Sequence, residues 1–134
     1  MFQIIEDKLA TEGIQQYQYN FLSEGSHQSN TFNSESSWQV IDVRDLYDDD
    51  SNSLEDYDKK INLVWNAIQD YGKAVICCVA GISRSNAIAL GVLVKYFHMD
   101  FYEASELVEE KVPKANISPV HIEKLKKLFK VTLP

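Results

Sequence analysis

Cysteine is scarce in this chain of 134 residues: there are two, Cys77 and Cys78, side by side. Adjacent cysteines build no disulfide framework, which excludes the stapled secreted scaffolds and fits a reducing cytoplasm. Long apolar runs are missing as well. None approaches the roughly 20 residues that span a bilayer, and the opening Met-Phe-Gln-Ile-Ile-Glu-Asp lacks a signal peptide's basic head and apolar run. The expectation is a soluble, cytoplasmic protein. Positive charge is also short, 13 basic against 20 acidic residues for a net charge of −7, which argues against a nucleic-acid or anionic-membrane partner. Histidine is rare. His27 sits in a polar stretch, while His98 and His121 read as helix-end residues without an accompanying ligand set, so no metal and no cofactor is expected.

What is present is ordinary for a globular protein, with 45% hydrophobic and 25% charged residues. A chain of this length buries a core without staples, so one domain over 1–134 is expected. Phe2 to Ile5 and the alternating Tyr17, Tyr19 and Phe21 read as two short strands. Residues 23–37, rich in Ser, Asn, Glu and Gly, read as a loop. Residues 38–43 read as a strand running into the acidic segment Arg44-Asp45-Leu46-Tyr47-Asp48-Asp49-Asp50. Consecutive aspartates lack the alternating spacing, glycine and terminal glutamate of a calcium loop. Ser53 and Asp56 form a capping-box pattern ahead of Leu54, Tyr57, Ile61, Val64, Trp65 and Ile68 at helical spacing, and Gly72 suits the stop. The helix is expected over 54–71, with Trp65 in the core. Further helices are expected from Arg84 to about His98, over 102–111, and after Ser118 as N-cap with Pro119 at the first position. Lys124, Lys126, Lys127 and Lys130 then read as the solvated face of the last helix.

The chemistry collects between residues 74 and 86. Ala74-Val75-Ile76-Cys77-Cys78 is a strand-type run, Val79-Ala80-Gly81-Ile82-Ser83 a loop of small and β-branched residues, and Arg84-Ser85 opens the apolar segment 87–97. A helix N-terminus offers unpaired N–H groups and about half a positive charge, which suits a phosphate or a thiolate. Gly81 lets the backbone approach closely, and the loop's side chains bring no charge, so peptide N–H groups are the main donors. Arg84 adds a planar fork for two phosphate oxygens. Cys78 is then a nucleophile facing a phosphoryl group.

Cys78, five intervening residues, Arg84 and Ser85 resemble the signature loop of the cysteine-based protein tyrosine phosphatases, and Gly-Ile-Ser-Arg-Ser resembles the dual-specificity branch. The resemblance covers roughly residues 38–129. It implies that Cys78 forms a phosphocysteine, that Arg84 binds the phosphate together with Val79, Ala80, Gly81, Ile82 and Ser83, and that Ser85 assists the thiolate as leaving group. It also implies an α/β fold: a single domain with a central, mostly parallel sheet flanked by helices and, here, a trimmed N-terminal part. The family usually carries a histidine just before the nucleophile, where this chain has Cys77. Strand neighbours point to opposite faces and a bridge between adjacent cysteines is strained, so Cys77 reads as a small buried side chain rather than a redox partner.

In the family an aspartic acid after the preceding strand protonates the leaving oxygen. Register from the strand assigns this role to Asp45, whereas counting back from the next helix selects Asp48; Asp45 is preferred. The implied activity is hydrolysis of phosphotyrosine and phosphoserine or phosphothreonine in proteins, without metal, by a monomer. Val79, Ala80 and Ile82 supply none of the lysines that lipid phosphatases and RNA triphosphatases of this superfamily use. The competing readings are a phospho-residue binding module with little turnover and, further off, a cysteine-based transferase or reductase. At the place where the family often has an asparagine just after the proline of an Ile-x-Pro segment, this chain has Val120, leaving Asn116 or Ser118 to support the loop.

Overall fold

The computed structural model describes residues 3–13, 28–29 and 38–131. Five strands form one sheet in the order β1-β2-β5-β4-β3, where β1 is Gln3–Glu6, β2 Leu9–Gly13, β3 Gln28–Ser29, β4 Gln39–Asp42 and β5 Ala74–Cys78. The central three, β2, β5 and β4, are parallel, and short antiparallel strands close both edges. Strand β5 therefore pairs on both sides, and all five of its residues are buried. A ligand loop at its C-terminal end lies at the rim where open α/β sheets bind ligands.

Four helices follow among the described residues: α1 (Leu54–Tyr71), α2 (Arg84–Tyr96), α3 (Phe101–Lys111) and α4 (Pro119–Phe129). Helix α1 starts as expected, with the Ser53 side chain accepting from the Asp56 N–H and the Asp56 carboxylate accepting from the Ser53 N–H. Gly72 ends it at φ 97°, a left-handed conformation that glycine adopts without a Cβ clash. Helix α3 is capped by Asp100, and Pro119 occupies the first turn of α4. No described helix is long and apolar enough to cross a membrane.

Alternation along the strands divides the core in two. Leu9, Ile41, Ile76 and Cys78 share one cluster with Tyr57, Ile61, Leu93, Val108 and Leu125 of the four helices. Ala10, Trp38, Val40, Val75 and Cys77 form a smaller cluster on the opposite face. Helix α2 is buried at every residue from Ser85 to Leu93 and runs through the middle of the molecule. A Cβ at its Gly91 would fall 2.3 Å from Ile61 Cδ1, so α1 and α2 touch there. Trp65 stacks on Tyr96 at 4.8 Å, on the core side as expected.

Strand β2 was not anticipated from the sequence, and β3 lies within the stretch read as loop. The strand expected around Tyr17, Tyr19 and Phe21, and His27, fall outside the described residues.

Candidate active site

Between β5 and α2 the chain turns through residues 79–83, and Cys78 ends β5 beneath the first turn of α2. Its Sγ lies 3.2 Å from Ser85 Oγ, and the residue is 2% exposed. As a thiol Cys78 donates to that hydroxyl; as a thiolate it accepts from it. Cys77 points the other way, into the smaller cluster. Burial pushes its thiol well above the ordinary value, with the carboxylates of Glu12 and Asp42 adding to the effect. The two sulfurs thus occupy opposite sides of the sheet, as strand alternation requires.

The loop is held from three sides. Gly81 has φ 71°, and a Cβ there would fall 2.7 Å from the Gly13 backbone N at the end of β2. Buried Asn86 donates through Nδ2 to the Gly81 and Ile82 carbonyls, each at 3.0 Å, while its Oδ1 accepts from Thr11 Oγ1 at 3.0 Å. From the segment before α4, the Asn116 N–H donates to the Ile82 carbonyl and the Ser118 N–H to Ser83 Oγ, both at 2.9 Å. Asn116 and Ser118 support the loop through their backbones.

The acidic segment after β4 is fixed just as closely. Asp42 clamps the Arg44 guanidinium through both carboxylate oxygens, at 2.9 and 2.8 Å, and accepts the Arg44 N–H. Arg84 joins this segment to the loop, with Nη1 donating to the Arg44 carbonyl at 3.0 Å and to the Leu46 carbonyl at 2.9 Å. Those two bonds occupy one corner of the guanidinium and orient its remaining edge. Asn52 then buckles the segment, accepting the Tyr47 N–H at 3.0 Å and donating to the Tyr47 carbonyl at 2.7 Å.

A cleft of 430 Å³ opens above the nucleophile and is lined by Cys78, Val79, Ala80, Ile82, Ser83, Arg84, Asn116, Ser118, Pro119 and Asp48. Asp45 is elsewhere. It lines a separate, larger depression of 510 Å³ with Tyr47, Lys59 and Lys60 that contains no nucleophile. There the Asp45 carboxylate, 71% exposed, pairs through both oxygens with Lys60 Nζ at 2.9 and 3.1 Å. Of the residues singled out in the sequence, the structure gathers Cys78, Arg84, Ser85 and the 79–83 loop into one site, and brings Asp48 rather than Asp45 to its rim.

Two contributors were not recognised from sequence. Asn86 offered only its place directly after Ser85 as a signal. His121 offered none: it is fully buried, with Nε2 2.7 Å from Asp48 Oδ1 and Nδ1 2.7 Å from the Tyr57 hydroxyl. No described group of three or more His, Cys, Asp or Glu side chains has the arrangement of a metal site.

The family model described as "Dual specificity phosphatase, catalytic domain" matches residues 4–130. Human dual specificity protein phosphatase 16 is 39% identical over 62 residues, covering 46% of this chain and 9% of that protein. The chain thus matches only a small part of that curated relative's length. Among solved structures, a variant of human DUSP28 superposes with a TM-score of 0.72 at 15% identity, covering 96% of this chain and 94% of that one. The human tyrosine phosphatase-like serine/threonine/tyrosine-interacting protein superposes with a TM-score of 0.71 at 16% identity, covering 97% and 96%. Those likenesses establish the fold, and the match across nearly the whole sequence establishes the family: this chain belongs to the dual specificity phosphatase catalytic-domain family.

Proposed function

We propose that this domain hydrolyses phosphate monoesters on phosphorylated proteins, at tyrosine and at serine or threonine, through a phosphocysteine on Cys78. The observation that carries the reading is the convergence of Cys78, Arg84 and Asp48 on one cleft, with Ser85 bonded to Cys78 beneath it and Arg84 tied to the acidic segment by two carbonyls. The Cys78 thiolate attacks phosphorus and forms the S–P bond as the ester P–O bond breaks. The Nε–Nη2 edge of Arg84 and the peptide N–H groups of the loop hold the phosphoryl oxygens.

An alkoxide or phenoxide leaves poorly, so a positioned acid is worth roughly 10²–10⁴ in rate. Asp48, on the cleft rim, fits that role better than Asp45, whose carboxylate is committed to Lys60 outside the cleft. After the leaving group departs, Asp48 takes a proton from water as the water attacks phosphorus. The S–P bond then breaks and returns the thiolate, with the Ser85 hydroxyl donating to the departing sulfur. Val79 and Ile82, both exposed at the cleft, add apolar surface and no further cation beside Arg84, which suits a single phosphoryl group on a protein chain.

A second reading, a phospho-residue binding module with little turnover, is favoured by Cys77, buried and uncharged where the family usually has a histidine. Hydrolysis of an aryl phosphate in EDTA separates the two. Turnover by the wild type that is lost in Cys78→Ser and Arg84→Ala supports the phosphatase. Phosphopeptide binding that needs Arg84 but gives no turnover supports the binding module.

A further inference from the structure

We propose that His121 is a positioning residue for the acid: it holds one oxygen of Asp48 so that the other faces the leaving group. The inference rests on Asp48 serving as general acid in the reaction above, and it adds a residue that the motifs of the signature loop do not contain. His121 sits fully buried in the first turn of α4, bonded at both ring nitrogens, to Asp48 Oδ1 and to the Tyr57 hydroxyl.

The donors in this chain run in one direction. The Asn52 amide Nδ2 can only donate, and it lies 3.4 Å from the Tyr57 hydroxyl oxygen. Tyr57 is fully buried, and burial pushes its phenol above the ordinary value, so the phenol stays protonated and its O–H donates a hydrogen bond to His121 Nδ1. With Nδ1 accepting, the neutral ring carries its proton on Nε2 and donates it to Asp48 Oδ1. Ser83 Oγ approaches the same oxygen at 3.4 Å. An oxygen that already receives donors is a poor place for a further proton. The acidic proton of Asp48 is thereby assigned to Oδ2, and the carboxyl cannot rotate without breaking a 2.7 Å bond to a buried ring.

A histidine serving only to fill the core would give a different mutational signature. The test compares kcat on phenyl phosphate, a poor leaving group, with kcat on an activated fluorinated umbelliferyl phosphate. His121→Phe keeps the aromatic volume and removes both bonds; it should lose roughly ten- to hundredfold on phenyl phosphate and little on the activated ester. His121→Gln, whose Nε2 reaches the same carboxylate oxygen, should recover most of that loss. In an Asp48→Ala background, His121→Phe should cost nothing further.

Equal losses on both esters, a Gln variant no better than Phe, or full additivity with Asp48→Ala would overturn the inference while leaving the phosphatase reading intact. A wild type without Cys78-dependent turnover would instead overturn that reading, and the inference with it.

Discussion

Gly13 and Gly81 meet backbone to backbone: a Cβ on Gly13 would lie 2.7 Å from the Ala80 carbonyl carbon, and one on Gly81 would lie 2.7 Å from the Gly13 nitrogen. The end of β2 thus acts as a template for the phosphate loop. Gly81→Ala should strain a left-handed backbone, at about 1–2 kcal/mol, and push the loop off β2, with a large fall in kcat/KM. Gly72→Ala is the control. Its φ of 97° carries similar strain in open space, so it should lower stability in urea and leave kcat/KM unchanged. Full activity in Gly81→Ala would show that the contact does not shape the site.

Asp48→Ala should depress turnover of phenyl phosphate by roughly 10²-fold or more and that of an activated ester far less, because only the former needs the proton. Asp45→Ala should leave this leaving-group dependence unchanged, since its partner is Lys60. The reverse pattern would return the acid to Asp45, the residue preferred from sequence register.

Asn86 ties β2 to the loop through Thr11. Asn86→Ala strands the Gly81 carbonyl and the Thr11 hydroxyl, at about 1–3 kcal/mol for each buried group left unpaired, while the Ile82 carbonyl keeps the Asn116 N–H. A double-mutant cycle with Thr11→Val should give a coupling of at least 0.5 kcal/mol or so in stability. Strict additivity would mean that the two side chains act independently.

Cys77 carries a pH signature. Its thiol is pushed well above its ordinary value in the folded protein, whereas in the unfolded chain it ionises near 8.5 or so. The unfolded chain therefore sheds this proton first: the contribution of Cys77 is whole below that pH and declines as pH rises above it. Cys77→Val should flatten the alkaline limb of a stability–pH curve. Iodoacetamide at neutral pH should label Cys78, which lines the cleft, and spare Cys77, which faces the smaller core cluster; comparable labelling of both would contradict that placement.

Where contacts are local, the sequence spoke clearly. The Ser53–Asp56 capping box, the helix it opens and the strand Ala74–Cys78 are encoded within a few residues of themselves, as is the run from Cys78 to Arg84. Strand β2 is different. Its residues Leu-Ala-Thr-Glu-Gly have little strand character, and their conformation comes from pairing with β1 and β5. The choice between Asp45 and Asp48 was likewise hidden. It depends on Lys60, Asn52 and His121, and His121 is 73 positions from Asp48 and 64 from Tyr57, separations with no sequence period to announce them.

The central claim is that phosphate passes through Cys78, and the intermediate itself is the most direct readout. Asp48→Ala, mixed with an activated aryl phosphate and quenched in acid within milliseconds, should carry one phosphoryl group on the tryptic peptide from Ala74 to Arg84, localised to Cys78 by fragmentation. The label should disappear in Cys78→Ser. Continued turnover with that peptide unmodified, or with the phosphoryl group on another residue, would contradict the mechanism.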